Sequence, residues 1–101
     1  MRLYIRVFGS DRTMEDIFPI RRDDLWAHLL PSLDLSPAQL DVAWTTENAP
    51  ILKADLEVRV YTEEGDPHDM MIKVQSVFGL VFPKLHFHIE VERVYLKISP
   101  R

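Results

Sequence analysis

The segment His86-Phe87-His88-Ile89-Glu90 sets two imidazoles and a carboxylate at alternate positions, so on a strand all three leave from one face. A His-x-His pair on a strand can chelate zinc or iron, and an added carboxylate suits a mixed nitrogen–oxygen site. A metal needs three or four convergent ligands, however. In the strand register expected below, the residues facing this trio are Val77, Gln75 and Lys73, and none is a good ligand. His28 falls on a helix and His68 in a loop, so neither completes the set. His86, His88 and Glu90 are therefore weak metal candidates, and a plain exposed polar face is the simpler reading.

Other chemistry is thinner. Tyr4, Tyr61, Asp55 and Glu57 can share one sheet face, but acid–base work needs a shielded pocket that shifts pKa values, and alternating strand positions describe a flat surface. Asp24 and His28 stand four apart on a helix, the spacing of an ordinary stabilising contact. Ser10, Ser36 and Ser76 have no nucleophile-elbow context, and Gly9, Gly65 and Gly79 are isolated, so no phosphate-cradling loop is present. Zero cysteines exclude thiol catalysis, a disulfide framework and cysteine-ligated metal. No catalytic residue and no cofactor is assigned.

The remaining candidates are apolar. Val77-Phe78-Gly79-Leu80-Val81-Phe82-Pro83 reads as the link between two strands, and such links normally run polar over the surface. An apolar tip either folds back over the core or forms a contact surface. Taken as a surface, it places Phe78, Leu80, Val81 and Phe82 against a partner protein, with Ile17 and Phe18 from a similar segment, and with Tyr61 and Met71 extending the patch. Trp26 and Trp44, on or beside helical segments, read as core anchors.

These residues must be positioned by a small set of elements. Arg2 to Phe8 alternates, with Leu3, Ile5 and Val7 on one side, as a half-buried strand does. A turn follows at Gly9 to Arg12, and Thr13 to Ile20 is expected as a second strand with Pro19 at an edge or end. Asp23 and Asp24 open a helix whose apolar stripe includes Leu25, Trp26, Leu29 and Leu30, with Pro31 expected to end or kink it. Ser36-Pro37-Ala38-Gln39 has the form of a capping box and starts a short helical turn through Ala43, followed by a connector over 45–51. A strand meander is expected beyond it. Lys53 to Thr62 and Met70 to Phe78 each carry apolar residues at even positions, joined by a hairpin loop at 63–68, and Leu85, Phe87, Ile89 and Val91 mark a third strand. This register sets Lys73 between Glu57 and Glu90. A parity change towards Val94, Leu96 and Ile98 predicts a bulge at Glu92 to Arg93. No internal repeat is evident.

With 101 residues, 47% of them apolar and 28% charged, residues 1–101 suit one globular domain that builds its own core. The expected fold class is α+β: a two-layer, mainly antiparallel sheet of four or five strands, with one helix and a short helical turn packed on one face. The net charge of −4 disfavours direct nucleic-acid binding, which shows as a basic excess. No run of apolar residues spans a bilayer, and MRLYIRVFGS carries charge where a signal peptide needs an apolar stretch, so a cytoplasmic protein is expected. By exclusion, the leading functional reading is a small non-enzymatic module that occupies a surface of another protein, of inhibitor, immunity, antitoxin or adaptor type. An acidic surface suits a basic partner, including one that itself binds nucleic acid. The alternatives are a small metal- or ligand-binding enzyme using the His86, His88 and Glu90 face, and a self-associating structural protein such as a homodimer.

Overall fold

A computed structural model describes residues 2–17, 20–46 and 54–94, with the side chains of residues 20–22 excluded. The chain runs β1 (Leu3–Gly9), α1 (Asp11–Ile17), α2 (Ile20–Leu33), a 3₁₀ turn (Pro37–Gln39), β2 (Leu40–Thr46), β3 (Leu56–Thr62), α3 (Pro67–Val81) and β4 (Phe87–Arg93). The fold is α+β. Its four-stranded sheet has the order β2-β1-β3-β4 and is mixed, not mainly antiparallel: β1 runs parallel to β2, antiparallel to β3, and β3 runs parallel to β4. Each parallel pair is joined by a helical crossover, because parallel neighbours cannot be closed by a tight hairpin.

The largest departure from the sequence expectation is α3. Alternation over 70–78 predicts a strand, yet the side chains that pack inward are Met70, Val74, Val77, Phe78 and Val81, spaced by three and four as a helix requires. Ile72, an inward residue of the expected strand, is 48% exposed. Asp66 caps the helix by accepting from the His68 N–H at 3.2 Å, and Pro67 occupies its first turn, where a missing N–H costs nothing. The hairpin register therefore fails. Lys73 lies on a helix, Glu57 faces His88, and Glu90 faces Arg59. The apolar link at 77–83 is the end of that helix, and its rings fill the core: Phe78 lies 5.8 Å from Phe82 and 5.9 Å from Phe87, centroid to centroid.

The expected strand over 13–20 is also helical through Ile17. The Ser10 hydroxyl accepts from the Thr13 N–H at 3.2 Å, and Met14 and Ile17, three apart, are buried. Residues 18 and 19 lie outside the described residues. In α2 the buried side chains Leu25, Leu29 and Leu33 repeat every four residues. Pro31 does not end this helix at Leu30: it lies inside the helix, which continues to Leu33. Asp34 then takes a left-handed φ of 55°, and the Leu35 N–H closes the end by donating to the Leu30 carbonyl at 2.9 Å.

The Ser36 box forms, with the Ser36 N–H donating to Gln39 Oε1 at 2.9 Å, but it launches a single turn and then β2, not a helical segment through Ala43. Leu40, Val42 and Trp44 turn towards the core while Asp41, Ala43 and Thr45 are exposed. The register of β4 with β3 continues through Glu92 and Arg93, so no bulge occurs there; Leu96 and Ile98 lie outside the described residues. Trp44 packs against the core edge-on to Phe82, at 6.4 Å, whereas Trp26 is 37% exposed on α2.

One core joins the helices to a single face of the sheet: Leu3, Ile5, Val7, Leu56, Val58 and Val60 meet Leu25, Leu29, Val74 and Phe78. The topology also reveals a repeat. β1 reads LYIRVFG and β3 reads LEVRVYT, each the first strand of a strand–helix–strand unit. Their antiparallel register pairs the fourth residue of one with the fourth of the other, Arg6 with Arg59, so the two units are related by an approximate two-fold axis through that pair.

Candidate functional site: the open face of the sheet

Alternation makes every second residue of the four strands leave the helix-covered face. Register arranges these outward residues in rows. The first row is Asp41, Tyr4, Tyr61 and Glu92; the second is Ala43, Arg6, Arg59 and Glu90; the third is Thr45, Phe8, Glu57 and His88. All are exposed or half-exposed. Cations and rings hold the centre, and carboxylates lie mostly towards the margins.

The central pair is costly. Like charges directly opposite one another across two strands destabilise the sheet, and Arg6 faces Arg59 at its middle. Arg59 is partly compensated. Its guanidinium lies 5.8 Å from the Phe8 ring centroid, and Glu90 sits beside it in register. Arg6 has Ala43 on its other side and makes no ion pair among the described residues. At the margin, His88 Nδ1–H donates to Glu57 Oε2 at 2.9 Å. At the strand start, the exposed Arg2 guanidinium is held above its ordinary pKa first by a hydrogen bond with Tyr4, with Glu63 adding in the same direction.

Beside Arg6 the small Ala43 side chain leaves room, and a cleft of about 460 Å³ opens there, lined by Tyr4, Arg6, Asp41, Ala43, Tyr61 and Val94. Its far wall is tied down, because the Val94 N–H donates to the Thr62 carbonyl at 2.9 Å. The volume lies within the range of roughly 300–1,000 Å³ usual for small-molecule sites.

The partner-contact residues singled out from sequence are not brought together. Phe78, Val81, Phe82 and Ile17 are buried and cannot form a surface. Leu80 is 65% exposed on the outer side of α3, Met71 is half-buried on the same helix, and Phe18 lies outside the described residues. Of that patch Tyr61 alone stands on the open face, where Tyr4 and Glu57, expected on the same face, and His88 and Glu90 also lie; Arg6, Phe8 and Arg59 among them are the residues that sequence reasoning missed. The signal available was the shared pattern of LYIRVF and LEVRVY, which repeats an arginine between two inward residues and an aromatic two positions later. His86 and His88 are exposed, and the His86 backbone N–H is occupied by Asp55 Oδ2 at 2.9 Å. Glu57 engages His88 and Arg59 flanks Glu90, a poor setting for a cation. Among the described residues no group of three or more histidines and carboxylates has a metal-holding arrangement. His28 Nδ1–H donates to the Asp24 backbone carbonyl at 2.8 Å, a contact within one helix. Among the described residues no helix is long and apolar enough to cross a membrane.

No family model and no curated protein matches the chain. Solved structures share its fold, two of them as follows. A protein of unknown function from Vibrio cholerae O1 biovar eltor is 11% identical with a TM-score of 0.60, over 96% of this chain and 81% of that one. Native RhCC from Rhodococcus jostii RHA1 is 9% identical with a TM-score of 0.59, over 97% of this chain and 81% of that one. At these identities the likeness establishes the arrangement of strands and helices and leaves the chemistry of the open face to this chain's own residues.

Proposed function

We propose that this chain is a small, non-enzymatic binding protein that acts by occupying a surface of a partner protein, and that its working surface is the open face of the sheet. The observation that carries this reading is the make-up of that face: Tyr4, Phe8, Tyr61, Arg6 and Arg59 at the centre, with Asp41, Glu90 and Glu92 around it. Aromatic residues and arginine are the types enriched in the centres of protein interfaces, where they supply most of the binding energy. The opposed arginines support the same reading, since a stable sheet does not need them and local rules are broken most often where function requires it. A partner with acidic or carbonyl groups at its centre and basic groups around them complements this charge pattern. The acidic margin and net charge of −4 favour a basic protein, including one whose own ligand is nucleic acid.

The test is capture of partners by the purified protein from host lysate, followed by titration of the captured partner. An Arg59→Ala, Phe8→Ala double variant, folded by circular dichroism, is expected to weaken binding by about tenfold or more, while Leu80→Asp on the outer helix face leaves it unchanged. The opposite pattern, binding lost with Leu80→Asp and kept in the double variant, would place the contact on the helix layer and end this assignment.

A further inference from the structure

The cleft next to Arg6 differs from the rest of the open face. It has apolar walls, the half-exposed rings of Tyr4 and Tyr61 in register side by side, with Val94 closing one end and Ala43 beside Arg6. Two charged side chains line it, Arg6 and Asp41, one strand apart and two residues out of register. They do not pair with each other: no ion pair joins them among the described residues, although a guanidinium and a carboxylate on diagonal strand positions are close enough for one to form through side-chain extension. The cleft thus holds a cation and an anion, both exposed, at diagonal positions beside the Tyr4 and Tyr61 rings.

From this arrangement we infer that the cleft binds a small zwitterion, an amino acid with an apolar side chain. Its carboxylate accepts hydrogen bonds from the Arg6 guanidinium, which presents several N–H groups in a planar fork. Its ammonium donates to the Asp41 carboxylate, and its side chain lies against the Tyr4 and Tyr61 rings. A simple carboxylate satisfies Arg6 but meets repulsion from Asp41; a simple amine satisfies Asp41 but meets repulsion from Arg6. Bringing a carboxylate to Arg6 also offsets the Arg6–Arg59 repulsion, so the ligand compensates a cost already present in the sheet. The inference rests on the reading above only in taking the open face as the working surface, and its test needs no partner protein.

The experiment is titration of the isolated protein, followed by two-dimensional NMR of the amides of β1 and β2, with three probes: L-phenylalanine, benzoate and phenethylamine. L-phenylalanine is expected to give saturable shifts centred on Tyr4, Arg6 and Ala43, with benzoate and phenethylamine weaker by about tenfold or more. Arg6→Gln and Asp41→Asn, both at exposed positions, are each expected to weaken L-phenylalanine by about tenfold, the first bringing it level with phenethylamine and the second with benzoate. Binding of benzoate or phenethylamine as tight as that of L-phenylalanine overturns the zwitterion assignment. Absence of saturable shifts with all three overturns the site. Either result leaves partner binding through Arg59 and Phe8 standing, and loss of that partner contact leaves the cleft standing.

Discussion

The two faces of the sheet are made from the same strands and differ in almost every physical respect. On the covered face, Leu3, Ile5, Val7, Leu56, Val58 and Val60 are buried under α2 and α3, and the apolar area removed from water there drives folding. On the open face the same strands present arginines, aromatics and carboxylates that include an unfavourable pair at the two-fold axis. The contrast separates residues that fold the chain from residues free to do something else. It also reassigns the apolar 77–83 segment, whose rings belong to the first group.

Three substitutions test this division, beginning with the largest effect. Phe78→Ala is expected to cost about 3–5 kcal/mol, a large share of the roughly 5–15 kcal/mol that stabilises a domain of this kind, read from urea unfolding. A loss below about 1 kcal/mol would mean that the ring does not fill the core. Asp66→Ala removes the cap that starts α3, and so loosens the layer that closes the covered face; a cost of about 1 kcal/mol is expected, with the same measurement. Arg6→Glu acts in the opposite direction. It replaces a repulsive cross-strand pair with an attractive one, so stability should rise by about 0.2–1 kcal/mol while L-phenylalanine binding is lost. An Arg6→Glu variant that is less stable would show that the arginine pair is structural, and the division between the faces would lose its sharpest instance.

Much of the covered face was legible in the sequence. Period-two alternation identifies β1 and β3 and the inward sides of both, and the four-residue repeat of Leu25 and Leu29 identifies α2. The errors cluster where two periods compete. In α3, Met70, Ile72, Val74 and Phe78 satisfy a period of two, while Met70, Val74, Val77, Phe78 and Val81 satisfy 3.6; the decisive residues are Val77 and Val81, together with the start signal Asp66-Pro67. β2 was hidden in a similar way, because the Ser36 box announces a helix that lasts a single 3₁₀ turn. The open-face site was legible only in part: Tyr4, Tyr61 and Glu57 were expected on one sheet face, but Arg6 and Arg59 lie far apart in the chain, and nothing in either segment alone says that they meet.

By itself, then, the sequence determined the sidedness of β1, β3 and β4, the existence of α2, the absence of cysteine chemistry and the acidic balance, since each depends on local spacing or on composition. The tertiary structure alone decided that the sheet is mixed, that 67–81 is a crossover helix and not a strand, and that Arg6 and Arg59 meet across neighbouring strands. Those outcomes depend on which strands become neighbours, and strand pairing is settled by the global burial of apolar faces against the helices, which no window of sequence contains.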